Sequence, residues 1–208
     1  EYYPFTNEEK KFIFNAIKNN RKIDIYYPYK YRDFYTGKEE TSPETGWTFN
    51  PEKKEYLGYG EVHFRKFTQE FIKGLNTEYK IIYDPACSTG EFLSDYKKNF
   101  PMSYTIGHDL SNQMIEYAKY YVDEALCCNA INSPLNNNSV DIMFLRFLNS
   151  EVVDTKTAYK IFKVLYPKVK KKGLIICFGH TPVLIRKEMF QRYELIPIIC
   201  NGYDKERD

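Results

Sequence analysis

Residues 80–93 read KIIYDPACSTGEFL. The run Lys80–Tyr83 is short, apolar and β-branched, as a buried strand requires. From Thr89 the pattern becomes that of a helix, which runs to Asn99 and stops before Pro101. One acid, Asp84, and the small residues Ala86, Cys87 and Ser88 lie between, ending at a single glycine, Gly90. A strand that turns into a helix through small residues is the building unit of a parallel sheet.

Outward from this corner the unit repeats. Strands are predicted at Ser103–Gly107, Glu124–Cys128, Val140–Leu145 and Gly173–Phe178, with a late one at Tyr193–Cys200. Helices are predicted at Asn112–Val122, with Ser111 as cap, and at Thr155–Tyr166. The second carries Ala158, Ile161, Phe162 and Leu165 on one face and ends at Pro167. The alternation predicts an α/β class: a Rossmann-like, doubly wound, mostly parallel sheet with helices on both faces. Residues 76–208 form this core. Residues 1–75 read as an N-terminal helical and looped cap: a helix over 7–19, a Tyr-, Pro- and Gly-rich loop over 21–58, and a second helix over 61–75.

Composition narrows the function. The chain has 208 residues, 43% hydrophobic and 28% charged, with a net charge of +2, so no polyanionic partner is implied. The one dense basic cluster, Lys168, Lys170, Lys171 and Lys172, reads as a solvated helix end. No apolar run approaches the ~18 residues of a membrane span. The five cysteines form no C-x-x-C pair, which favours a reduced, cytoplasmic setting without a metal.

In a doubly wound sheet, ligands bind beyond the carboxyl ends of the strands. The corner Asp84–Gly90 lies there, and a helix N-terminus follows it with free N–H groups. The next strand, within YTIGHDLSNQMIEYAK, places Asp109 just past its end, where an acid can accept two hydrogen bonds from a ribose diol. The third strand ends at Asn129 and Ala130, a place suited to reading an adenine edge.

The chain resembles the class I S-adenosylmethionine-dependent methyltransferases from about residue 78 to 200. IIYDPACSTGEFL looks like their first motif and TIGHDLSNQMIEYAK like the second-strand motif. ALCCNAINSPLNNNSVDIMFLRFLNSEVV resembles the adenine segment and fourth strand, and KVLYPKVKKKGLIICF the turn into the fifth. The first motif is richer in glycine in most members; here Ala86 and Ser88 take two of those positions. Many members have Asp where this chain has Asn129. The family's sheet ends in an antiparallel hairpin, of which Tyr193–Cys200 reads as the first arm; no second arm is evident before Asp208, so the core reads as cut short.

The resemblance implies S-adenosylmethionine as donor, S-adenosylhomocysteine as product, and a cofactor site made of Asp84, Ala86, Cys87, Ser88, Gly90, Asp109, Leu110, Met114, Asn129, Ala130 and Arg146. Tyr59 and Arg65 are candidates for the methionine carboxylate. His108 is expected beside the adenosine. Methyl transfer from a sulfonium is an in-line displacement, so alignment supplies much of the acceleration and a base is needed only for an acceptor that loses a proton. His180 and His63 are the candidate bases. Arg146, after the fourth core strand, is placed to hold an acidic acceptor or to pair with Glu151. Adenine-type DNA methyltransferases carry an Asn/Asp-Pro-Pro-aromatic motif where this chain reads Phe144-Leu145-Arg146-Phe147-Leu148-Asn149. The acceptor is therefore expected to be a small aromatic or cationic metabolite gripped by an aromatic lid. A nucleic-acid enzyme and a cofactor-binding protein without transferase activity are the alternatives.

Overall fold

Seven strands build one sheet: β1 Ile23–Tyr26, β2 Ile81–Asp84, β3 Tyr104–Asp109, β4 Glu124–Cys127, β5 Val140–Leu145, β6 Val169–Cys177 and β7 Ile196–Ile199. The computed structural model describes residues 23–26, 69, 72–73, 79–148, 152–177, 185 and 192–199, with the backbone alone at 23–26 and 196–199. The order across the sheet is β4-β3-β2-β5-β6-β1-β7, and every described pairing is parallel.

Among the described residues the core strands are connected by α1 Glu91–Asn99, α2 Asn112–Ala118 and α3 Thr155–Leu165. The central strands β2, β3, β5 and β6 are mostly buried because their alternate residues feed two layers. Tyr83, Ile106, Met143, Leu145, Ile175 and Cys177 join Ala158, Ile161, Phe162 and Leu165 of α3 in one cluster. On the other side Phe144 meets Phe92 and Tyr96 of α1, at ring-centroid distances of 4.9 and 4.7 Å. Crossovers in parallel sheets are right-handed, so connections that progress in opposite directions along the sheet lay their helices on opposite faces. From β2 the chain steps outward to β3 and β4; from β5 it steps the other way to β6. The reversal falls between β2 and β5, the place at the carboxyl edge where sheets of this kind bind ligands.

The predicted core strands are all present, within a few residues at their ends. Two expectations fail. Residues 23–26 lie in the stretch read as loop, yet they form β1, between β6 and β7. Four residues with isoleucine at alternate positions were hidden among turn formers and tyrosines. The late strand read at Tyr193–Cys200 is β7, and its described neighbour is β1, in parallel. The lysine cluster does not end a helix: Lys170, Lys171 and Lys172 lie in β6, which bulges between Val169 and Leu174. Lys170 pairs with Asp141 of β5, and Lys168 is buried. The cap helix at 7–19, most of the 61–75 helix and the lid loop beyond Tyr26 lie outside the described residues. Gln69 and Ile72–Lys73 are helical, and Gln69 and Lys73 hydrogen-bond to α1 through Asp95 and Asn99.

Candidate functional site

Asp84 closes β2 at the reversal point. It is wholly buried. Its Oδ1 accepts from the Ala86 N–H at 3.0 Å, and its Oδ2 from Arg146 Nε at 2.8 Å. Arg146 follows β5 directly, so this ion pair spans the two strands from which the chain departs in opposite directions. Arg146 Nη2 also donates to the Ala86 carbonyl at 3.2 Å, and the guanidinium lies over the Phe92 ring, 4.4 Å from its centroid. The sequence left open what Asp84 would receive and what Arg146 would hold; each meets the other.

The loop after Asp84 is pinned to β3. Cys87 N–H donates to the His108 carbonyl at 2.8 Å, and Ser88 N–H to Asp109 Oδ2 at 2.8 Å. Ser88 has φ 54°. This is left-handed backbone at a position where glycine is frequent in the family, and for a serine it carries strain of about 1–2 kcal/mol. Gly90 caps α1 at φ 82°, and a Cβ there would sit 3.1 Å from Ala118 Cα of α2. Gly107 of β3 went unnoticed in the sequence as a site residue. A Cβ on it would lie 2.8 Å from Cys87 Sγ, so its bareness is what lets the loop rest on the strand. The signal was a strand glycine one turn of the alternation before the acid.

Asp109 ends β3. Its second oxygen, Oδ1, accepts from Ser111 N–H at 2.9 Å. Burial raises its pKa, and the N–H groups of Ser111 and Ser88 work against that rise. Both oxygens keep acceptor capacity, and the side chain is only half-buried. Ser88 Oγ lies 3.6 Å from Met114 Sδ. The Leu110 carbonyl accepts from Cys127 Sγ, and the Asp109 carbonyl from Cys128 N–H. Asn129 follows, its Oδ1 capping the short 3₁₀ turn Ala130–Asn132 through Ile131 N–H at 3.1 Å. The structure thus gathers Asp84, Ala86, Cys87, Ser88, Gly90, Asp109, Leu110, Met114 and Arg146 around one corner, with Asn129 and Ala130 next along the edge. His63, His180, Tyr59, Arg65 and Glu151 lie outside the described residues.

His108 is not where it was expected. Alternation turns Gly107 and Asp109 toward the loop, and therefore turns His108 to the opposite face. There it is fully buried, with Nδ1 2.9 Å from Tyr83 Oη. Its Nε2 is buried with no hydrogen-bond partner among the described residues. Burial, aided by the Lys168 charge, pushes its pKa down to about 4. The unfolded imidazole titrates near 6.5, so between those values the unfolded chain binds the extra proton. Its stabilisation is complete above pH ~6.5, falls as the pH drops, and is gone below ~4, a loss of about 2–3 kcal/mol. Urea unfolding across this window, compared with His108→Gln, should show that slope in the native protein and lose it in the variant. Equal slopes would refute a buried neutral imidazole.

Residues 83–177 match the family model described as a methyltransferase domain. That span holds the whole corner, from the β2 end to the end of β6. Residues 83–177 thus form a domain similar to the class I S-adenosylmethionine-dependent methyltransferases. The chain is 32% identical over 199 residues to isonocardicin synthase of Nocardia uniformis subsp. tsuyamanensis, covering 96% of this chain and 65% of that relative. The fold is also that of the sugar N-methyltransferase KedS8 from Streptoalloteichus sp ATCC 53650, at 18% identity and TM-score 0.51. That match covers 68% of this chain and 59% of KedS8. A methyltransferase of Haloferax volcanii, solved in complex with the activator Trm112, matches at 16% identity and TM-score 0.50, over 61% of this chain and 56% of that one. These matches therefore span between 56% and 65% of the length of the relatives. The class I methyltransferase corner suits the family's cofactor, S-adenosylmethionine: a half-buried carboxylate at the β3 end for a diol, and a small-residue loop open to close approach. Among the described residues no cluster of His, Cys, Asp or Glu could hold a metal, and no helix is long and apolar enough to cross a membrane.

Proposed function

We propose that this chain carries the cofactor-binding core of an enzyme that transfers the methyl group of S-adenosylmethionine, in line, to a small aromatic or cationic metabolite in the cytoplasm. One observation carries the reading: the acids that end two neighbouring parallel strands, Asp84 and Asp109, both bind N–H groups of a single loop, at Ala86 and Ser88. Two carboxylates converging on one short loop at the reversal point serve a ligand there better than they serve packing. Asp109 takes the ribose diol, and the loop Ala86–Gly90 lies under the methionine part. Leu110, Met114, Asn129 and Ala130 border the adenine, and Tyr59 and Arg65 meet the carboxylate. His180 or His63 acts as base for an acceptor that must lose a proton. Arg146, held by Asp84, shapes the floor and faces an acidic group of the acceptor. The absence of an Asn/Asp-Pro-Pro-aromatic run after β5 supports a small molecule over a flipped base.

A second reading concerns the group transferred. The relative at 32% identity is named for a synthase, not for a methyltransferase. A sulfonium carries three carbon substituents, and the same displacement at another of them would transfer the aminocarboxypropyl arm and leave 5′-methylthioadenosine. One assay separates the readings: the protein with S-adenosylmethionine and a panel of phenols and amines, followed by mass spectrometry of both products. S-adenosylhomocysteine with a methylated acceptor is expected. Methylthioadenosine would move the assignment to the second reading, and cofactor binding without turnover on any acceptor would leave a binding protein.

A further inference from the structure

The segment from Asn129 to Leu135 carries no helix or strand beyond one short 3₁₀ turn, yet it would border the adenine. Something outside it must hold it. Lys168, from the 3₁₀ turn Tyr166–Lys168 that leads into β6, is buried and crosses to this segment. Its Nζ donates to the Ser133 carbonyl at 3.1 Å and to the Leu135 carbonyl at 2.6 Å. No carboxylate pairs with it among the described residues. A buried ammonium tied to backbone carbonyls alone is costly, and it is kept where those carbonyls need fixing. From below, Tyr83 Oη donates to Ser133 Oγ at 3.0 Å and meets His108 Nδ1. The next stretch is tied to the same turn: Asn138 N–H donates to the Pro167 carbonyl at 2.9 Å and Ser139 N–H to the Lys168 carbonyl at 2.8 Å.

We infer that Lys168 and Tyr83 are positioning residues for adenine recognition, fixing Ser133 so that Asn129 and Ala130 meet the base in one register. The inference rests on the reading that Asn129 and Ala130 border the adenine. The two residues approach the segment from opposite edges of the sheet, Tyr83 from near the carboxyl end of β2 and Lys168 from just ahead of β6. The hydrogen bonds of both side chains go to the segment and to His108 rather than to the loop Ala86–Gly90. Their effect is on discrimination between bases, which loss of general stability would not alter.

The test uses S-adenosylhomocysteine and S-inosylhomocysteine, which differ in hydrogen-bond polarity at the six-membered ring, with dissociation constants measured by calorimetry. The native protein should prefer the adenosyl compound. Lys168→Met and Tyr83→Phe should each shrink that preference by about tenfold, the worth of one hydrogen bond. Tyr83→Phe removes one oxygen and keeps the ring, so it carries the test if Lys168→Met does not fold. Asn129→Ala separates the two levels of argument. If it leaves the preference intact, the adenine reading falls and the inference with it. If it abolishes the preference while Tyr83→Phe, and Lys168→Met where folded, do not change it, the inference alone is overturned.

Discussion

Arg146→Met should destabilise the protein by about 3–5 kcal/mol, because it takes the guanidinium away from a carboxylate that is fully buried. Asp84 is fully buried and Arg146 is only 10% exposed, so neither can fall back on solvent. Methionine matches much of the arginine stem and keeps the contact with Phe92, so the loss is one of charge and hydrogen bonding. The Ala86 carbonyl also loses its donor, which loosens the loop. The expected reading is a large drop in the urea midpoint together with weaker binding of S-adenosylhomocysteine. The double variant Asp84→Asn/Arg146→Met, which has no stranded charge, should recover a sizeable part of the stability. A single variant as stable as the native protein, or a double variant no better than the single, would show that the pair is not the brace described here.

Asp109→Ala should weaken S-adenosylhomocysteine by about 1.5–3 kcal/mol, roughly ten- to a hundredfold in Kd, as the loss of a charged acceptor predicts. Part of that would come from freeing Ser88 N–H and Ser111 N–H, which Asp109 also holds. The 2′-deoxy analogue isolates the direct part. The native protein should prefer the ribose form, and the variant should treat the two almost alike. Calorimetry giving the native affinity for Asp109→Ala would refute a cofactor at this corner.

The core was legible in the sequence because periodicity and punctuation agreed there. Ser111 and Pro167 are strong signals with a local cause, and both fall where the sequence placed them: Ser111 Oγ caps α2 through Met114 N–H, and α3 ends at Leu165 ahead of Pro167. The acids at strand ends could be read for the same reason, since a strand end is a local event. What could not be read was pairwise and distant. The partners of Arg146 and Lys168 depend on which strands become neighbours, and the sheet order β4-β3-β2-β5-β6-β1-β7 is written nowhere in the chain's local pattern. Four basic residues close together looked like a solvated surface. Lys168 differs from Lys171 and Lys172 only in the depth at which its turn leaves it. His108 could have been placed by counting alternation from Asp109, since adjacent residues of a strand face opposite ways.

The contact between Gly107 and Cys87 links two positions that lie in different motifs. They share one small volume, with 2.8 Å between the sulfur and any methyl that might replace a glycine hydrogen. Bulk added at 107 has room only if bulk is removed at 87. Among homologues the pair should then drift in concert, a side chain appearing on the strand where the loop has shrunk, and either change alone should be rare.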